Sequence, residues 1–182
     1  MSRENKTMYT ILGLLMYSPL TGYEIKRSIE NSIKHFWQES YGQIYPTLKK
    51  LVDLEFAVVH VEKVDGKPER KLYTITEQGR VEFINWLEKP IGKIPIHKNE
   101  LLLKIFYGQH LTVKQNIEQI VQYQEKMEDF LHTLNTTEKY LVTRRKADPH
   151  FDYWMLTLSH GQHIVKATIQ WCEESIEKLL KK

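Results

Sequence analysis

The sequence predicts a mainly α-helical protein carrying one small β-hairpin, and three observations set that class. Apolar residues recur three and four apart through the first fifty residues, the spacing of one helix face. Residues 56–64, "FAVVHVEKV", switch to a β-branched run that ends on the turn signal "DGKP". Beyond residue 99 the three-and-four spacing returns and holds to the C-terminus.

Composition narrows the function classes. At 182 residues there is length for one domain or two small ones. With 41% hydrophobic and 27% charged residues the chain is ordinary globular material, not a disordered tail. A net charge of +3 permits a nucleic-acid partner without arguing for one, so DNA binding must come from local clustering. Cys172 is the single cysteine, which excludes an internal disulfide and a multi-cysteine zinc site; a cytoplasmic location is expected. The apolar run Ile11–Met16 is too short to span a bilayer and no small-residue cleavage pattern follows. It reads as a core helix, and no membrane partner is expected.

The first helix covers Tyr9–Leu15 and stops at "SPLTG". Thr21 and Glu24 stand at capping-box spacing and open a second helix, whose inward stripe is Ile25, Ile29, Ile33 and Phe36. Ser40 and Gln43 repeat that spacing, so a third helix begins near Tyr41, with Ile44, Leu48, Leu51 and Val52 inward. Pro46 lies inside it, removes one backbone donor and predicts a kink. "ERKLYTI" returns as the second strand of the hairpin, and Thr76 caps a fourth helix with Val81, Ile84 and Leu87 inward. Three helices, a hairpin and a helix are the order of a winged helix-turn-helix domain, placed at residues 1–90.

"PIGKIPIHKN" reads as a linker, bounded at residues 91–98. Residues 99–182 form an α-helical domain. Its first seam runs Ile117, Ile120, Gln124, Met127, Leu131, Leu134, Glu138 and Leu141, and "RRK" at 144–146 ends that helix. After "ADPH" the seam continues through Phe151, Trp154, Leu158, Gly161, Val165, Thr168, Cys172, Ser175 and Leu179. Two such stripes must pack on each other, on the first domain or on a second copy. A homodimer is expected, with Leu131, Leu134, Leu158 and Val165 at its interface.

The third helix has a chemistry of its own. Gly42, Gln43, Pro46, Lys49, Lys50 and Asp53 lie opposite its apolar stripe, with Tyr45 on the flank. Gln can bond adenine bidentately in the major groove, Lys can reach guanine or phosphate, and a Tyr hydroxyl can hold a phosphate. A solvated helix face would carry the same residue types. The hairpin tips that balance: Lys63, Lys67, Arg70 and Lys71 cluster around its turn, as in a wing that touches phosphates beside a recognition helix. A charged, soluble loop is the plainer reading of the hairpin alone; helix and wing in this order are more specific than either.

"ILGLL", "LTGYEI", "QIYPTLKKL" and "KLYTITEQG" resemble the successive signatures of the PadR family of transcriptional regulators, and run from Ile11 to Gly79. The helical remainder is similar to the larger PadR subfamily with a long C-terminal domain. The resemblance implies a homodimeric regulator, usually a repressor, bound to a double-stranded palindromic operator and in some members released by a small ligand. It places Tyr23, Gln43, Tyr45 and Lys49 on the DNA side of the helix-turn-helix, and Lys67 and Arg70 on the wing. An effector pocket is expected around Trp37, Arg144, His150 and Trp154, whose aromatic walls, histidine and arginine suit a flat, weakly acidic aromatic molecule.

Other readings are weaker. His160 and His163, three apart in "HGQH", lack an obvious third metal ligand, so no metal or cofactor is expected. Cys172 reads as a small buried hydrophobe. The absence of a P-loop, a dinucleotide glycine motif and a nucleophile elbow argues against an enzyme. An alternative, a helical protein-interaction adaptor that binds no DNA, explains the seams but not a basic wing after a Gln-Tyr-Lys helix.

Overall fold

Ile11, Leu12 and Leu15 meet Ile25, Ile29, Ile44, Leu48 and Leu51 in one core, and that packing organises the first of two units, Met1–Ile94 and Pro95–Lys182. The computed structural model describes residues 5–62, 69–92 and 98–181. The first unit runs α1 (Lys6–Leu15), β1 (Leu20–Thr21), α2 (Gly22–Ser32), α3 (Tyr41–Asp53), β2 (Ala57–Glu62), β3 (Arg70–Ile75) and α4 (Glu77–Glu88). It is a winged helix-turn-helix.

Its sheet has three antiparallel strands in the order β1-β3-β2, not two. The third is Leu20–Thr21, which pairs with Tyr73 and Leu72. Two residues carry no periodic signal, so the "SPLTG" stop hid a strand. The wing strands pair from Ala57 opposite Ile75 to Glu62 opposite Arg70.

The two capping boxes form as the spacing predicts: Thr21 with Glu24 opens α2, and Ser40 with Gln43 opens α3. α3 runs unbroken through Pro46, with Ile44, Leu48 and Leu51 fully buried. It ends in a Schellman motif: the Phe56 N–H donates to the Leu51 carbonyl and the Glu55 N–H to the Val52 carbonyl. Glu55 takes the left-handed position with φ 59°, where glycine is usual. Its carbonyl accepts the Thr76 hydroxyl at 2.6 Å, which ties the end of α3 to the start of α4.

Two inward stripes need correction. α2 ends at Ser32; Ile33 still packs, half-buried, against the core, but Phe36, beyond the helix and out of phase, is 52% exposed. On α4, Val81, Ile84 and Leu87 face outward, while Gly79, Phe83 and Trp86 face in. Gly79 sets that phase. A Cβ there would lie 2.1 Å from the Phe56 carbonyl oxygen, so only a glycine lets the helix seat at this depth. Trp86 stacks on Tyr9 at 4.5 Å, and the Tyr9 hydroxyl donates to Glu82.

The second unit holds α5 (Glu100–Phe106), a single 3-10 turn (Gly108–His110), α6 (Val113–Arg144) and α7 (Phe151–Leu180). The separate α5 was not expected. Asn99 caps it, and the break before α6 is fixed by the buried Asn116, whose amide donates to the Gly108 and Thr112 carbonyls. Every predicted seam position on α6 and α7 is buried or half-buried. One polar position finds its partner across the seam: Glu138, together with Asn135, accepts from the Gln162 amide of the opposite helix.

That closure corrects the dimer residues. Leu134, Leu158 and Val165 are buried within one copy, with Leu131 packed against them. They hold α6 to α7 within one copy. Cys172 is likewise buried, against Leu101 and Ile120; desolvation, then Glu173 and Glu128, push its thiol pKa up. Among the described residues no helix is long and apolar enough to cross a membrane.

Candidate nucleic-acid interface

α3 separates its residues by face. Ile44, Leu48 and Leu51 point into the core, while Gln43, Tyr45, Lys49 and Lys50 are exposed. The amphipathic spacing of "QIYPTLKKL" makes this split, because residues four apart share one side of a helix.

Three elements converge beside that exposed face. Tyr23 from the first turn of α2, Tyr45 and Lys49 from α3, and Arg70, Lys71 and Tyr73 from β3 line one open cleft of ≈ 790 Å³. Four sequence-predicted residues, Tyr23, Tyr45, Lys49 and Arg70, therefore meet. Gly22 eases it: a Cβ there would fall 2.6 Å from the Tyr45 ring and push the exposed tyrosine aside. Lys50 is exposed on the same helix but lies outside the cleft. Lys63 and Lys67, with the turn at Asp65 and Gly66, fall outside the described residues.

Electrostatics shape the cleft further. Arg70 lies 3.3 Å from Glu24, whose carboxylate also accepts the Thr21 N–H and hydroxyl. The Thr21 bonds, with Arg70 adding to them, hold the Glu24 carboxyl below its ordinary range, so it stays charged at neutral pH. The α2 cap thus anchors the base of the wing. This contact was not read from the sequence, since nothing in local spacing pairs residues 24 and 70.

Gln43 stands apart from the cleft. Its Oε1 accepts from the Ser40 N–H at 3.0 Å and the Ser40 hydroxyl at 2.9 Å, which occupies both lone pairs. The two amide hydrogens remain. A capped Gln43 therefore presents donors only, and the bidentate adenine contact, which needs its oxygen as an acceptor, requires the cap to open.

The residues chosen for an effector fall into two groups. Trp37 belongs to the first unit, where its indole N–H donates to Glu39 at 2.7 Å. Arg144 closes α6, and His150 precedes α7 with its ring 6.0 Å from that of Trp154. His160 and His163 lie exposed on α7, and among the described residues no group of three or more His, Cys, Asp or Glu is placed to hold a metal ion.

A winged helix-turn-helix with an exposed, basic recognition face, followed by a helical domain, defines a transcriptional regulator. Residues 11–85 match the Transcriptional regulator PadR-like family and residues 97–179 match the Virulence activator alpha C-term family. The chain thus carries a PadR-like domain followed by a virulence-activator C-terminal domain, a pairing consistent with the larger PadR subfamily. It is 29% identical over 171 residues to the Negative transcriptional regulator PadR of Bacillus subtilis, covering 91% of this chain and 92% of that one. The crystal structure of Bacillus subtilis PadR in complex with operator DNA superposes with a TM-score of 0.85 at 28% identity, over 94% of this chain and 98% of that chain. The same protein in complex with p-coumaric acid gives 0.79 at 27% identity, over 94% and 96%.

Proposed function

We propose that this regulator is a homodimeric repressor that reads a palindromic operator with α3 and grips the flanking phosphates with the β2–β3 wing. The observation that carries the reading is the convergence of Tyr23, Tyr45, Lys49 and Arg70, from three separate elements, on one open cleft. Hydroxyls and cations in that arrangement suit phosphates along one edge of a groove, and leave Gln43 to meet base edges. With its oxygen engaged at the cap, Gln43 offers two donors, which match the N7 and O6 acceptors of guanine. The operator complex of the Bacillus subtilis relative supports the same use of the domain.

Gln43→Ala is expected to reduce discrimination between operator and scrambled DNA by about 1–3 kcal/mol, the worth of a lost base contact. Its loss of the cap costs both complexes equally and cancels in the ratio. Lys67→Ala should instead weaken both DNAs alike and lower the salt slope by about one unit. Titrations over a salt series measure both, and unchanged discrimination in Gln43→Ala together with an unchanged slope in Lys67→Ala would remove the DNA face. A binding constant independent of salt in the intact protein would favour the adaptor reading instead.

A palindrome calls for two copies. With the α6–α7 seam closed inside one copy, the apolar side chains left for a partner include Leu103 and Phe106 on α5 and Tyr153 and Leu156 on α7, all exposed. Release by a flat aromatic acid draws on Arg144, His150 and Trp154, and on the p-coumaric acid complex of the relative. An acid that binds the off-DNA arrangement a hundredfold more tightly shifts operator binding by about 2.7 kcal/mol. Titrating small aromatic acids should quench tryptophan emission and release DNA together; quenching with DNA still bound would make the site passive.

A further inference from the structure

Glu39 is an unusual residue to find before a recognition helix, because it is 5% exposed. A buried carboxylate is retained only where donors replace its water. Here Thr7 of α1 donates its hydroxyl to Oε2 at 3.0 Å, and Trp37 donates its indole N–H to Oε1 at 2.7 Å. The Glu39 backbone is held as well: the Lys26 ammonium of α2 donates to its carbonyl at 2.8 Å, while also pairing with Glu30. The next residue, Ser40, is the N-cap of α3.

We propose that Glu39 is a positioning residue that couples the first turn of α1 to the start of α3 and so sets where the reading face stands. It rests on the assignment of α3 as the DNA-reading helix. Thr47, buried on the same helix, accepts from the Asn5 amide at the N-cap of α1 at 3.5 Å, so α1 holds α3 at two places. A helix tied only by its apolar stripe can slide or roll by fractions of an ångström, since dispersion and burial are not directional. Charge-assisted hydrogen bonds to a fixed carboxylate are directional and remove that freedom. Base readout depends on it, because a bidentate contact tolerates little displacement.

The test compares Glu39→Ala with Glu39→Gln in the full chain. Alanine leaves the Thr7 hydroxyl and Trp37 N–H without their acceptor. Glutamine can accept from Trp37 through its oxygen and donate to the Thr7 hydroxyl, which restores both contacts. Glu39→Ala should lower operator-over-scrambled discrimination roughly tenfold at an unchanged salt slope, with Glu39→Gln recovering most of it. The Trp37 indole N–H resonance, assigned with Trp37→Phe, should move in Glu39→Ala and return in Glu39→Gln. A folded Glu39→Ala with unaltered discrimination overturns the coupling, and so does a loss that comes with a lower salt slope. If Glu39→Ala does not fold, Thr7→Val decides: lost discrimination supports the coupling and full discrimination overturns it. Gln43→Ala run in parallel separates the two ideas. If it too changes nothing, α3 does not read bases; if it alone lowers discrimination, α3 reads bases and Glu39 does not set it.

Discussion

Gly79→Ala is expected to unfold the first unit at a much lower denaturant concentration than the parent chain. The added Cβ would lie 2.1 Å from the Phe56 carbonyl oxygen, 2.9 Å from the Phe56 carbonyl carbon and 3.0 Å from Ile75 Cγ1. Two of these are backbone atoms, which no rotamer change can move aside. α4 must lift, and lifting it strains the Thr76 N–H bond to Phe56 and the Thr76 hydroxyl bond to Glu55. Overpacking alone costs about 1–3 kcal/mol and the lost bonds add to it, so roughly 4 kcal/mol is expected. That is a large part of the 5–15 kcal/mol that typical domains have. Urea unfolding followed by Trp86 fluorescence measures it; a midpoint equal to the parent's would refute this account of α4.

Leu158→Asp should be at least as damaging to the second unit, and for a different reason. Leu158 is 1% exposed between Leu134 and Val165, so the substitution removes its packing and places a carboxylate where no donor waits. Lost burial and the cost of charging or neutralising the group together come to on the order of 5 kcal/mol. Phe106→Glu provides the contrast. Phe106 is 80% exposed on α5, so the unit should keep its helical signal while the proposed dimer weakens by roughly tenfold or more. Circular dichroism and sedimentation of the two variants separate the roles. A well-folded Leu158→Asp would show that the α6–α7 seam does not hold the unit together.

Much of this is legible in the sequence alone, and the failures have physical causes. The capping pairs Thr21–Glu24 and Ser40–Gln43 could be read because a cap is a local bond between residues three apart. The seam positions of α6 and α7 could be read because thirty residues of steady spacing leave one face to bury. Val81, Ile84 and Leu87 misled because Gly79, Phe83 and Trp86 offer an equally good stripe, and only contact with Phe56 chooses between them. The β1 strand is two residues long, below any periodic signal. α5 went unseen, although Gly108 and the Thr112–Gln115 capping spacing stand in the sequence as its stop and the next helix's start.

At the cleft, the residue types were readable but their partners were not. Tyr45, Lys49 and Lys50 announce themselves by facing away from an apolar stripe. The Glu24–Arg70 pair and the Thr7–Glu39 bond join residues far apart in sequence, and no local pattern encodes them. The same fold covers Leu131, Leu134, Leu158 and Val165 within one copy, where a dimer interface was expected: a seam's spacing does not say which helix will cover it.

The two faces of α3 have a consequence for how such a regulator changes over evolutionary time. Stability is invested in Ile44, Leu48 and Leu51, none of which the proposed reading face uses, while Tyr45, Lys49 and Lys50 reach solvent without supporting the core. Exposed substitutions of this kind usually stay within about 0.5 kcal/mol of neutral. A lineage can therefore exchange one target sequence for another through a handful of single steps, none of which passes through an unfolded intermediate. Gln43 is the exception: it also caps the helix, so new specificities that keep a Gln or Glu there are the most accessible.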